Sequence, residues 1–392
     1  MRPRLKPAVR VLWRDAATVQ FGVDARSAVA VTGVDPCTAA LLDALDGSRT
    51  DAELRVLGRQ LGLDASSVDR LLDWLRSGRL LDDAARRPAE ALLPRGAEDL
   101  LTPDLAALSL LSEEPDGGAV LLERRRAARI SVVGAGRVGA TVATLLAAAG
   151  IGRVVPDDPE PATAADCAPG GLAPADAGTP RGDALRRRLL AVNPAVQTAP
   201  PTDGDYTLQV LAPPGPFDAT VGDAALRGHT PHLLAFVRDL TGVIGPLVSP
   251  GRSPCLRCLE AARAARDPRW PLIAAQLASD PPRKRRACDV VLATLVAAIA
   301  ALQVLAFVDG RRPATVGATV EMTLPDWRFR RRRWSMHPDC GCGWPSNAEP
   351  DAGIDPGSGR GIGAAPGGGV GPGRAVGPSV SVGARSGVGM NA

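Results

Sequence analysis

The hydrophobic pattern opens with short alternating runs and then shifts to helical spacing. Val9–Trp13, Thr18–Val23 and Ala28–Val31 carry β-branched and aromatic residues with Gly or Asp between them, which predicts three short strands. Asp35 then stands before Pro36, an N-cap ahead of a proline at the first helical position, and Leu41, Leu42 and Leu45 share one face. Thr50 with Glu53 forms a capping-box pattern, after which Leu54, Leu57 and Leu61 keep the helical period. Asp64 caps a third segment whose apolar face is Val68, Leu71, Leu72 and Leu75, closed by Gly78. Strands beside three short helices, followed by Leu80 and Leu81, predict a small winged-helix-like α+β domain over residues 1–83. Residues 84–127 read as a connector with one short helix from Leu100 to Leu111, broken at Asp116, Gly117 and Gly118.

The pattern changes again at Arg129–Val133, a short apolar run that fits a buried strand. It leads directly into Gly134-Ala135-Gly136-Arg137-Val138-Gly139. A helix with Val142, Leu145 and Leu146 on its face follows, ends at Gly150, and hands over to a second strand at Gly152–Val155. Strand, glycine loop, helix and strand in this order predict a Rossmann-like α/β domain, here bounded as 128–345. Within it, Val290–Val308 carries no charge and follows the basic cluster Arg283, Lys284, Arg285 and Arg286. It is long enough to cross a bilayer. We read it as a buried core helix, because a span there would put two cysteine pairs on opposite sides of a membrane. From residue 346 to 392 the chain is Gly, Pro, Ala, Val and Ser with few large apolar side chains, a composition expected to be disordered.

Composition refines this picture in a few places. Of 392 residues, 45% are hydrophobic but only 3% are aromatic, so the cores must be built from Leu, Val and Ala. Forty-six basic against 42 acidic residues leave a formal charge of +4, too even to indicate a nucleic-acid partner. The first residues lack the apolar run of a signal peptide, which predicts a cytoplasmic protein with no membrane partner. Its seven cysteines are then expected to be reduced thiols.

Two groups of residues point to chemistry. In the glycine loop, Gly134 allows a tight turn, Gly136 lets the backbone approach a phosphate, and Gly139 lets helix and strand pack closely. The helix N-terminus would face the anion, and Asp157 or Asp158 would accept from ribose hydroxyls. ATP and dinucleotides both use this geometry. The second group is Cys255 and Cys258, with Cys340 and Cys342 far downstream: four thiolates suited to a structural zinc ion. His337 is an alternative ligand in place of one thiolate.

Other candidates have blander expected roles. Cys288, at the start of the long apolar helix, reads as a core cysteine, with a thiolate nucleophile as the alternative. Cys37 and Cys167 have no histidine nearby in sequence, and His229 and His232 read as structural. Arg328 and Arg330 to Arg333 read as a solvated strand edge between Trp327 and Trp334, with an acidic partner or the nucleotide as the alternative.

Taken in order, the glycine loop, the acid after the second strand, Gly178-Thr179-Pro180-Arg181, Asn193-Pro194 and the paired cysteines resemble the ThiF/MoeB and ubiquitin-activating enzymes. The resemblance covers residues 128–344. It implies a domain that binds ATP with Mg²⁺, adenylates a C-terminal carboxylate, holds a structural zinc by two cysteine pairs, and forms a homodimer. Arg181 stands where the family has a phosphate-binding lysine. The segment Asp166 to Leu172 lacks the family's arginine. The strand Thr207–Leu211 ends in Ala212-Pro213-Pro214-Gly215 where the family has an aspartate for Mg·ATP; Asp218 and Asp223 come later.

With its winged-helix-like segment the chain also resembles actinobacterial ThiF-like proteins and the leader-binding partners of azole-forming cyclodehydratases. There a peptide clamp takes the leader as an added strand and a separate subunit uses ATP. The expected function is therefore a nucleotide-binding protein of the ThiF superfamily that binds a precursor or leader peptide and presents it to a partner modifying enzyme. The alternative is an active adenylyltransferase acting on a peptide or small sulfur-carrier protein. A second alternative, an NAD-dependent oxidoreductase, shares only the glycine loop. No catalytic residue is assigned.

Overall fold

The structure is a computed structural model that describes residues 1–25, 27–86, 89–93, 98–213, 219–279 and 287–343. The tail expected from residue 346 lies outside the described residues. The chain divides into two compact units, Met1–Leu122 and a second that begins at Glu123.

The first unit starts with β1 (Pro3–Leu5), β2 (Val11–Asp15), β3 (Thr18–Phe21) and β4 (Val29–Thr32). Helices α1 (Pro36–Asp43), α2 (Asp51–Gln60) and α3 (Ala65–Ser77) follow, and then β5 (Leu81–Asp83). All three sequence caps form. Asp35 accepts from the Thr38 amide at 2.7 Å, Thr50 and Glu53 close a capping box, and Asp64 accepts from the Ser67 amide at 2.7 Å. Strands β2, β3 and β4 make an antiparallel sheet, while β1 pairs with β5. The central strand sends Val19 and Phe21 inward against Leu41, Leu54, Val68, Leu72 and Leu75, all fully buried. Each such side chain contributes about 1.5–3 kcal/mol of burial.

The stretch expected as a connector carries two helices, α4 (Glu98–Leu111) and α5 (Ala119–Ala127). Leu105, Leu108, Leu121 and Leu122 make a small core there with Ala89. A buried polar knot joins this core to the paired strands β1 and β5. The Lys6 ammonium is 1% exposed, donates to the carbonyls of Ser109 and Ser112, and lies 4.0 Å from the Asp82 carboxylate. Asp82 in turn accepts from the Ser109 hydroxyl at 3.1 Å and the Gly117 amide at 3.2 Å. Burial pushes the Lys6 pKa below its usual value, against the pull of Asp82 and Asp116. Removing one partner of such a pair costs about 3–5 kcal/mol, because the other charge stays buried without compensation.

The second unit is built from β6 (Arg129–Val133), α6 (Arg137–Ala148), β7 (Arg153–Asp157), α7 (Arg181–Val192), β8 (Leu208–Leu211) and the short α8 (Asp223–Arg227). After these come β9 (His232–Arg238), β10 (Thr241–Val248), α9 (Leu256–Ala264), α10 (Trp270–Ser279), α11 (Val290–Val308), β11 (Ala318–Thr323) and β12 (Arg328–Arg333). Its sheet runs β12-β11-β10-β9-β8-β6-β7. The four strands from β7 to β9 are parallel, and β10, β11 and β12 extend them as an antiparallel meander.

The long apolar helix α11 lies on this sheet. It buries Leu292, Val296, Ala300 and Val304 in the core shared with α6, β9 and β10. A bidentate ion pair anchors its end, with Arg125 Nε and Nη2 donating to the Asp309 carboxylate at 2.9 and 2.8 Å. On the opposite face, Leu256 of α9 packs with Leu211, Leu234, Phe236 and Val243. Strand order reverses between β6 and β8, the kind of switch point beyond whose carboxyl ends sheets of this type bind ligands. The glycine loop leaves β6 at that point.

Candidate functional site

The two outer glycines of the loop are required by packing alone. Gly134 has φ +89°, and a Cβ there would lie 2.3 Å from the Ala212 carbonyl oxygen at the end of β8. A Cβ on Gly139 would lie 1.8 Å from the Gly134 carbonyl oxygen. Gly136 is the N-cap of α6 and has no side chain with which to cap the first turn. The first amides of α6 thus stand at the switch point with the partial positive charge of a helix N-terminus.

The two acids after β7 have different tasks. Asp157 is exposed at the strand's carboxyl end. Asp158 is buried and accepts from the Ala135 amide inside the glycine loop at 2.7 Å. Arg181, the first residue of α7, donates its Nε and Nη2 to Asp158 at 2.8 and 3.0 Å, and its Nη1 approaches Asp166 at 3.4 Å. Burial works against the Arg181 charge, but the two carboxylates outweigh it and hold the guanidinium pKa above its ordinary value. The cation expected at a phosphate is therefore already neutralised from two sides.

The segment from Asp166 to Leu172 folds against α6, with Leu172 in the core. Arg137 clamps it: its Nε donates to the Ala165 carbonyl at 2.7 Å, and its Nη1 to the Cys288 carbonyl at 2.6 Å. Cys167 and Cys288 pack against the core. Burial raises the pKa of both thiols, and Arg137 offsets this only in part. They are thiols at neutral pH rather than activated thiolates. Beyond β8, residues 214–218 lie outside the described residues, and with them Asp218. Asp223 is paired with Arg257 of α9 and so is committed there.

The four cysteines of the clip come together. Their sulfurs all lie within 4.8 Å of one another, with separations of 3.8 Å for Cys255–Cys258, 3.5 Å for Cys255–Cys340 and 3.3 Å for Cys258–Cys342. Tetrahedral zinc–thiolate bonds of about 2.3 Å give sulfur–sulfur edges of about 3.8 Å, so the donor set fits. The His337 ring accepts from the Asp339 amide, while its own backbone N–H donates to Cys258 Sγ at 3.3 Å. His337 therefore supports the cluster from outside. Burial raises Cys342 to about 11 and drives Cys340 up as well. Cys258 ends below its usual value: burial opposes this, but the His337 amide and the Cys342 thiol outweigh it.

Sequence reasoning missed the tie from Asp158 to the Ala135 amide and the Arg137 clamp. Neither leaves a local signal, since both depend on loops closing in space. His229 is a left-handed turn residue with φ +53°, and His232 donates through Nδ1 to the Thr230 carbonyl at 3.0 Å.

The clip yields a direct expectation. Metal analysis of the purified protein should find one zinc per chain, and Cys340→Ser should lose it and lower the melting temperature by about 5 °C or more. A zinc-free wild-type protein of unchanged stability would remove the metal from the account.

Residues 107–204 match the model of the ThiF family. No curated protein matches the chain in sequence. Among solved structures, E. coli MccB with ATP aligns at a TM-score of 0.66 and 14% identity, over 87% of this chain and 99% of that one. The microcin C7 biosynthetic enzyme MccB in complex with N-formylated MccA gives 0.66 and 14%, over 88% of this chain and 100% of that one. PaaA gives 0.64 and 18%, over 84% and 100%. Identities this low speak for the fold alone. That fold and the matched segment place the resemblance of this chain in the ThiF/MoeB superfamily.

Proposed function

We propose that this chain binds a precursor or leader peptide on its N-terminal unit and presents it to a partner modifying enzyme. The observation that carries this reading is the edge of the small sheet at β2, unpaired among the described residues. Val11 and Trp13 of β2 lie across from Phe21 and Val19, on the face that packs against the helices. Yet Val11 is 42% and Trp13 is 52% exposed, so the apolar face runs out past the core. A peptide added as a strand beside β2 would complete the backbone pairing and cover that shelf. The winged-helix-like layout of β2–β4 and α1–α3 agrees with such a clamp, and MccB, of the same fold, binds MccA.

Presentation is favoured over adenylation by the charges around the glycine loop. Adenylation needs free cations and Mg²⁺ ligands at the developing phosphoryl charge. Arg181 is occupied by Asp158 and Asp166, and Asp223 by Arg257. The adenylating alternative retains support from the glycine loop, the exposed Asp157 and the ATP complex of MccB. In either case the four cysteines would hold a structural zinc, and a reduced, cytoplasmic setting suits them.

A homodimer is part of the proposal. The outer stripe of α11 includes Val291 and Leu302, which are exposed, with Leu295 and Leu305 only partly covered. An apolar stripe of this length on a core helix calls for a partner surface. Sedimentation should show a dimer that Leu302→Arg turns into a monomer; a monomeric wild type would contradict this.

Peptides selected from a random display library on the intact protein test the main proposal. Selected binders should protect the β2 amides from hydrogen exchange and lose about tenfold or more in affinity with Trp13→Glu. Pyrophosphate exchange in their presence should stay at background. Binders indifferent to Trp13→Glu would refute the clamp, and peptide-dependent exchange abolished by Arg181→Ala would favour the adenylating enzyme.

A further inference from the structure

Strand β12 ends the large sheet, and its outer backbone edge is unpaired among the described residues. Such an edge offers a row of N–H and C=O groups to any extended chain. Five of its six residues are arginines: Arg328, Arg330, Arg331, Arg332 and Arg333. Pairing with β11 fixes their faces. Arg328, Arg330 and Arg332 lie on the side of Thr323, Glu321 and Thr319, while Phe329, Arg331 and Arg333 lie on the side of Met322, Val320 and Ala318. Both faces of the edge are therefore positive.

The fold uses only part of this charge. Glu321 lies 3.5 Å from Arg332, Asp326 lies 4.0 Å from Arg328, and Arg331 donates to the Ala314 carbonyl at 2.9 Å. Arg330 and Arg333 have no anionic partner among the described residues.

Charged edge strands also serve to keep sheets from pairing with one another. Two aromatic rings argue that this edge does more. Phe329 is 61% exposed and Trp327, in the turn before β12, is 51% exposed. Aromatics make up only 3% of the chain. Among the described residues the three exposed ones are Trp13, Trp327 and Phe329, all on or beside the open edges of sheets. A strand whose task is repulsion gains nothing by presenting large rings between its charges. Edges built to receive a partner do, since aromatic and arginine side chains are the preferred anchors of interfaces.

We propose that the β12 edge docks an extended acidic segment of a protein partner, which adds to the sheet as a further strand. Main-chain hydrogen bonds would give the pairing, carboxylates would meet arginines on both faces, and one apolar side chain would rest on Phe329. A nucleic acid could satisfy the guanidinium groups with phosphates, but it would leave the row of backbone donors and acceptors unused. An acidic polypeptide matches both features. This surface is separate from the β2 edge and stands or falls independently of the proposed peptide clamp.

The test uses the intact protein and a fluorescent glutamate-rich peptide with one central leucine. Binding should weaken as salt rises. The double variant Arg330→Glu/Arg333→Glu, with both sites exposed and circular dichroism to confirm folding, should lower affinity by about tenfold or more, and Phe329→Ser should lower it less. N-methylation of alternate peptide amides should weaken binding as strongly, whereas Trp13→Glu should leave it unchanged. Absence of binding would overturn the proposal. So would indifference to N-methylation, or equally tight binding of oligothymidylate, which would assign the edge to phosphates instead.

Discussion

A single buried carboxylate organises the mouth of the nucleotide fold. Asp158 receives the Ala135 amide from the glycine loop, the Glu160 amide from its own turn, and two nitrogens of Arg181 from the start of α7. Charge-assisted bonds of this kind are worth roughly twice a neutral hydrogen bond, and here they converge on one side chain. The loop conformation, the entry of α7 and the orientation of the guanidinium are thus one coupled arrangement. The carboxylate that ties the loop together also pairs with Arg181, the cation expected at a phosphate.

Under the proposed function, that pairing shifts the binding chemistry to other surfaces. The four-cysteine cluster joins the start of α9 to the chain after β12, and cation–π contacts reinforce the same region: the Arg263 guanidinium lies 5.2 Å from the Trp270 ring centre and 5.9 Å from that of Trp334. Strand β12 ends the large sheet beside this region. In the N-terminal unit, β2 pairs with β3, whose Val19 and Phe21 sit in the Leu-rich core. Among the described residues, each unit has a terminal strand with aromatic side chains on or beside it, β2 in one and β12 in the other. In an aromatic-poor chain, that allocation is what the two proposed docking edges rest on.

Much of this could be read from the residues because it rests on local rules. The three caps at Asp35, Thr50 and Asp64, the strand–loop–helix run from Arg129 to Gly150, and the length of α11 each follow from neighbours in sequence. The cysteine pairs were legible across a long separation because ligand chemistry demands that they converge. What escaped depends on closure in space. A lysine such as Lys6 reads as exposed until Ser109 and Asp82 surround it. Arg181 reads as a free cation until Asp158 and Asp166 flank it. The first predicted strand starts two residues early because Val9 is held in a turn by its amide bond to the Lys6 carbonyl, and β2 begins only at Val11. Helix α5 was missed because its apolar residues, Val120, Leu121 and Leu122, are consecutive and show no helical period.

The most direct test of the account is the affinity of the protein for ATP·Mg²⁺ by calorimetry, wild type against Asp158→Asn. The asparagine oxygen can still accept from the Ala135 amide, while the negative charge that Asp158 sets against Arg181 is removed. If Asp158 silences the cation, the wild type binds weakly and Asp158→Asn binds about tenfold or more tightly by comparison. Tight binding by the wild type that is lost in Asp158→Asn would show that the carboxylate serves the nucleotide, and the central claim would fall.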